Sequence, residues 1–77
     1  MNPDFKIETI TVDGPHAYVR ASIVTPQNFA VSAGSRLGGV RLRSDLHEPS
    51  PGIYLFRLEN PSDRGRLKLG DIVELET

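Results

Sequence analysis

The sequence predicts an all-β chain of about six mainly antiparallel strands, wrapped into a small closed or partly open β-barrel. Three observations predict it. Proline and glycine recur so often that no stretch free of both exceeds ten residues, near the lower limit for an ordinary helix. Between these breaks, apolar and polar side chains alternate with the period of two that marks a strand with one face buried. One alternating segment also places the small residues Ala17 and Ala21 on its apolar face, which lets a sheet curve tightly enough to close.

The first strand is expected at Phe5 to Val12. Phe5 and Ile7 share a face, whereas Ile10 and Val12 fall in the opposite phase, so a β-bulge or sharp bend belongs near Glu8-Thr9. Asp13-Gly14-Pro15 ends the strand in a turn. Ala17 to Thr25 reads as the second strand, with Ala17, Val19, Ala21 and Ile23 inward and Tyr18, Arg20, Ser22 and Val24 outward. Phe29, Val31 and Ala33 alternate within Asn28 to Ala33, which reads as a short third strand. Gly34 to Gly39 follows as a loop or glycine kink leading into a fourth strand at Val40 to Arg43. Ser44 to Gly52 holds two prolines, a glycine and several polar residues and is expected to be the longest exposed loop. Ile53 to Glu59 is the fifth strand, apolar on both faces at its start and hence central. Asn60-Pro61-Ser62-Asp63 opens a turn or a single helical turn. Gly70-Asp71 then breaks the backbone before the closing strand, where Val73 and Leu75 face one way and Glu74 and Glu76 the other.

Composition narrows the function classes. The 77 residues suffice for one domain, residues 1–77, with a single core. Nine basic and ten acidic side chains leave a net charge of −1, so no global field draws the chain to nucleic acid or an anionic membrane. There is no cysteine, hence no disulfide frame and no thiolate site. With those staples absent, efficient packing or a homo-oligomer must supply stability. No apolar run approaches the length of a membrane span, and Met1-Asn2-Pro3-Asp4 lacks the basic and apolar regions of a signal peptide, so the expected location is cytoplasmic.

Gly65-Arg66-Leu67-Lys68-Leu69-Gly70-Asp71-Ile72-Val73-Glu74-Leu75 resembles the second-domain β-barrel of translational GTPases, where a leucine-lysine pair precedes a glycine-acidic turn and a strand. The opening, an aromatic-initiated strand, a glycine turn and a small-residue strand over Phe5 to Ile23, is similar in outline. The resemblance implies a barrel of the translation-factor type. It assigns no partner-contacting role to any residue here, and the phosphate loop Gly-x-x-x-x-Gly-Lys-Ser/Thr of the GTPase domain does not occur.

The chemistry-bearing clusters are few. Gly34-Ser35-Arg36-Leu37-Gly38-Gly39 could cradle a phosphate, but the helix that such cradles require does not follow it, and a kinked loop is the simpler reading. His47 stands beside Asp45, Glu48 and Ser50, yet catalytic partners converge from separate elements rather than from neighbours in one segment. His16 reads as a turn residue. No catalytic, cofactor-binding or metal-ligating residue is assigned. The strongest candidates for partner or nucleic-acid contact are Arg36, Arg41, Arg43, Arg57, Arg64, Arg66 and Lys68. Arg41 and Arg43 must share an outward face. If the Arg57 strand lies beside them, a cationic stripe forms with Tyr54 or Phe56 close by, the composition of a groove for single-stranded nucleic acid. Carboxylates at least as numerous as the basic groups favour an ordinary charged surface instead. The expectation is therefore a non-enzymatic structural or protein-interaction barrel, with a protein partner or self-association ahead of nucleic acid and no membrane.

Overall fold

The computed structural model describes residues 2–77. Six strands form a closed barrel in the order β1-β2-β5-β4-β3-β6, with β6 returning to β1. They are β1 (Asp4–Asp13), β2 (His16–Ile23), β3 (Arg36–Leu37), β4 (Val40–Ser50), β5 (Ile53–Leu58) and β6 (Ile72–Glu76). Every neighbouring pair is antiparallel. No helix among the described residues is long and apolar enough to cross a membrane.

The alternation that predicts the strands also fills the barrel. Phe5 and Ile7, then Ala17, Val19 and Ala21, then Leu37, Val40 and Leu42, then Phe56, Leu58, Leu67 and Leu75 form one buried cluster. Each large side chain removed from water stabilises the fold by about 1.5–3 kcal/mol. The phase slip in β1 is a register shift between Ile7 and Thr9. The extra residue there is Glu8, whose Oε2 accepts a hydrogen bond from Ser22 Oγ on β2 at 2.8 Å. Before the closing strand Gly70 takes φ 86°. On β6 Leu75 is buried and Val73 half-buried, while Glu74 and Glu76 are exposed.

The middle of the chain departs from expectation in three places. Asn28 to Ala33 is not a strand. The connection over residues 24–35 crosses one end of the barrel and lays Phe29 and Val31 against the core. Phe29 meets Phe5 at 5.2 Å and Tyr54 at 4.8 Å between centroids, edge to face in both cases. Its alternation suits an extended cover as well as a strand, because Phe29 and Val31 turn to the core while Ala30 and Ser32 stay exposed. The second strand accordingly ends at Ile23, before Thr25.

The loop expected at Gly34 to Gly39 instead contains the third strand. Arg36 and Leu37 pair with β6 on one side and β4 on the other, and Gly38-Gly39 is the two-residue turn between Leu37 and Val40. Both glycines have positive φ, 59° and 84°, as a type I′ hairpin turn requires.

Ser44 to Gly52 is not a loop. β4 runs through to Ser50 and turns at Pro51-Gly52 into β5. The breakers are absorbed by two register shifts, between Leu42 and Leu46 and between His47 and Ser50. These bend β4 and leave every side chain from Arg43 to Ser50 exposed. Asn60 caps the 3₁₀ helix Pro61–Arg66, its Oδ1 accepting from Ser62 N–H at 3.2 Å.

Candidate functional site

The outer face of β2, β5 and β4 holds an open cleft of about 330 Å³, lined by Tyr18, Asp45, Leu46, His47, Leu55 and Arg57. Strand alternation places its floor. With Phe56 and Leu58 buried inside, Leu55 and Arg57 must point outward. Tyr18 stands opposite Arg57, and His47 opposite Leu55. The bulge in β4 brings Asp45 over Arg57 and leaves Leu46 39% exposed at the rim.

Arg57 is the fixed point of the cleft. Its side chain is only 21% exposed, and Nη1 donates to Asp45 Oδ2 at 3.0 Å. Nη2 lies 2.8 Å from His16 Nδ1. The same Nη2 also lies 3.3 Å from His16 Nε2. Arg57 Nε is buried with no hydrogen-bond partner among the described residues. Asp45 thus neutralises the guanidinium and His16 braces it, so the cleft presents a flat, immobilised arginine beside an aromatic ring and two leucines.

The other predicted arginines separate into two groups. Arg36 faces Arg41 across β3 and β4 and is flanked by Glu76 on β6. Arg41 Nη1 lies 3.8 Å from Glu59 Oε2. A row Glu76, Arg36, Arg41 therefore crosses three strands, β6, β3 and β4, and ends at Glu59, the residue after β5, with Arg43 two positions further along β4. Neither Arg36 nor Arg43 makes an ion pair within 4.0 Å among the described residues. Arg64 and Arg66 belong to the 3₁₀ helix, where Arg64 Nη1 donates to Pro61 O at 3.1 Å and Arg66 lies 3.9 Å from Asp63. Lys68 is exposed in the connection to β6.

The neighbour of the arginine strand is indeed β5, but Tyr54 and Phe56 do not accompany the stripe. Phe56 is fully buried, and both rings pack on Phe5, at 5.1 Å for Phe56 and 5.8 Å for Tyr54. Burial, and secondarily Glu48, holds the Tyr54 hydroxyl above its ordinary pKa. The aromatic on the outer face is Tyr18, whose outward phase was legible from Ala17, Val19 and Ala21. Nothing in the spacing linked His16 to Arg57, 41 residues away. Among the described residues no group of three or more His, Asp or Glu side chains is placed to hold a metal ion.

No family model, curated protein or solved structure matches the chain.

Proposed function

We propose that the chain is a non-enzymatic protein-interaction barrel that seats an apolar side chain of a partner segment in the β2–β5–β4 cleft. The observation that carries this reading is Arg57. With its charge already met by Asp45, it offers a phosphate little, but it forms a rigid polar floor beside Tyr18, Leu46 and Leu55. Tyrosine and arginine held rigid next to apolar side chains are the composition of protein-binding hot spots. A cytoplasmic location and kinship with the translation-factor barrel, through the segment Gly65 to Leu75, belong to the same proposal.

A second reading has its own support. Arg36 and Arg43 make no ion pair among the described residues and flank Arg41 on one face, which suits contact with a nucleic-acid backbone. Glu59 and Glu76 at the two ends of that row oppose it. Selection of a displayed peptide library on the wild-type chain and on Tyr18→Ala separates the readings. The protein reading expects enriched peptides that shift the amide resonances of Tyr18, Leu46 and Leu55 and bind Y18A about tenfold or more weakly. No enrichment, or peptides indifferent to Y18A, contradicts it.

A further inference from the structure

Although the barrel closes, β1 is longer than the strand that closes it. β6 pairs only with Asp4, Phe5 and Lys6. The last backbone bonds across this seam run from Ile7 N–H to Asp71 O at 2.9 Å and from Gly70 N–H to Ile7 O at 2.8 Å. Beyond the bulge, Thr9 to Asp13 pairs with β2 on one side and with no strand on the other among the described residues. Alternate residues of an antiparallel strand turn their backbone groups to opposite sides. The Asp13–His16 pair that closes the two-residue turn fixes the phase, so Ile10 and Val12 present N–H and C=O to the open side.

A second open edge shows what protection looks like in this molecule. β3 covers β4 at Val40 and Arg41, and the segment before it bonds Leu42, whose N–H donates to Ser35 O at 2.8 Å and whose carbonyl accepts from Gly34 N–H at 3.2 Å. Among the described residues β4 therefore lacks a strand partner on that side only from Arg43 onward. That edge is broken by two register shifts and carries Arg43, Asp45, Glu48 and Pro49, the usual defences against strand addition. The β1 edge, Thr9-Ile10-Thr11-Val12, has such features only at its two ends, the single bulge at Glu8 and Asp13. It is β-branched throughout, without charge, proline or glycine. Exposed apolar side chains also gather at its ends. Val12 is 51% exposed, and Leu69 and Ile72, 65% and 61% exposed, flank the Gly70-Asp71 segment bonded to Ile7.

We propose that this edge pairs antiparallel with the same edge of a second copy, about a twofold axis through Thr11. Since only Ile10 and Val12 offer backbone groups, hydrogen-bonded pairs must join these residues. The register through Thr11 is the one that engages both in both copies, as Ile10 with Val12 of the other copy and the reverse. It sets apolar side chains against apolar ones, Thr11 against Thr11, and Asp13 against Thr9, with no like charges opposed. Such an isologous contact closes on itself and uses up the β1 edge of both copies. It involves no residue of the cleft and stands or falls apart from the reading of that cleft.

Amide exchange and sedimentation across a concentration series test the pairing on the intact chain. The expected result is a dimer at high concentration, with the Ile10 and Val12 amides slowed about tenfold or more relative to dilute solution and Thr11 unchanged. Val12→Lys, which charges a half-exposed edge position, is expected to give a monomer, whereas Leu46→Lys in the cleft leaves the dimer intact. A monomer at every concentration overturns the proposal. So does a dimer that survives V12K, one that L46K dissolves, or Ile10 and Val12 amides that exchange at the same rate throughout.

Discussion

Gly38 combines two constraints in one position. Its φ is 59°, and a Cβ added there would stand 3.0 Å from Val73 Cγ1 and 3.1 Å from Leu67 Cδ2. Gly39 shares the positive φ but has open space around it. Gly38→Ala is therefore expected to destabilise the fold by about 2 kcal/mol, left-handed strain and crowding together, against about 1 kcal/mol for Gly39→Ala, measured by urea unfolding. Asp45→Asn removes the counter-charge of a mostly buried guanidinium. Because Asp45 itself is half exposed, the expected cost is about 1 kcal/mol, and added salt should narrow the gap between wild type and variant. Tyr54 gives a pH signature. Its raised pKa means that the unfolded chain loses this proton first, so the stabilisation is complete below about pH 10 and declines as pH rises through the folded value. Spectrophotometric titration should place Tyr54 above 10. Glu48→Gln should lower it only in part, because burial is the larger cause.

At the scale of elements, alternation was readable wherever burial decided which way side chains point. The slip at Glu8-Thr9 revealed the bulge, and the pattern of Ile72 to Glu76 revealed the closing strand, because in both places one face meets the core. The same signal misplaces the third strand. Phe29, Val31 and Ala33 alternate as a ladder would, yet the segment covers the barrel mouth, while the two-residue β3 is too short to show a period. Pro49 and Gly52 hid the extension of β4, since a doubly bulged segment whose side chains from Arg43 to Ser50 all lie in solvent reads like a loop. The Arg57, Asp45 and His16 assembly is a product of that bulge and of the β2–β5 pairing, so residue spacing could not disclose it. Phe29→Ala tests the role of the cover. Losing edge-to-face contacts with Phe5 and Tyr54 should cost about 2–3 kcal/mol by urea unfolding while the strand register persists. A loss near zero would mean that the cover is not part of the core.

For the whole molecule, one continuous core and a closed ladder imply a single cooperative unit, so backbone and tyrosine signals should unfold in coincident transitions. The outer surface divides its labour. The β3–β4 row sets two adjacent arginines between two glutamates, the β2–β5–β4 cleft neutralises its arginine internally, and the open edge of β1 carries no charge until Asp13. That distribution is the support for the proposed protein partner. The most direct test compares, by amide chemical shifts on one sample series, a cleft-selected peptide with single-stranded RNA at low and at physiological salt. The peptide is expected to move Tyr18, Leu46, Leu55 and Arg57, and RNA to move little at either salt. Steeply salt-dependent RNA binding centred on Arg36, Arg41 and Arg43, with the cleft silent to peptide, would contradict the protein reading.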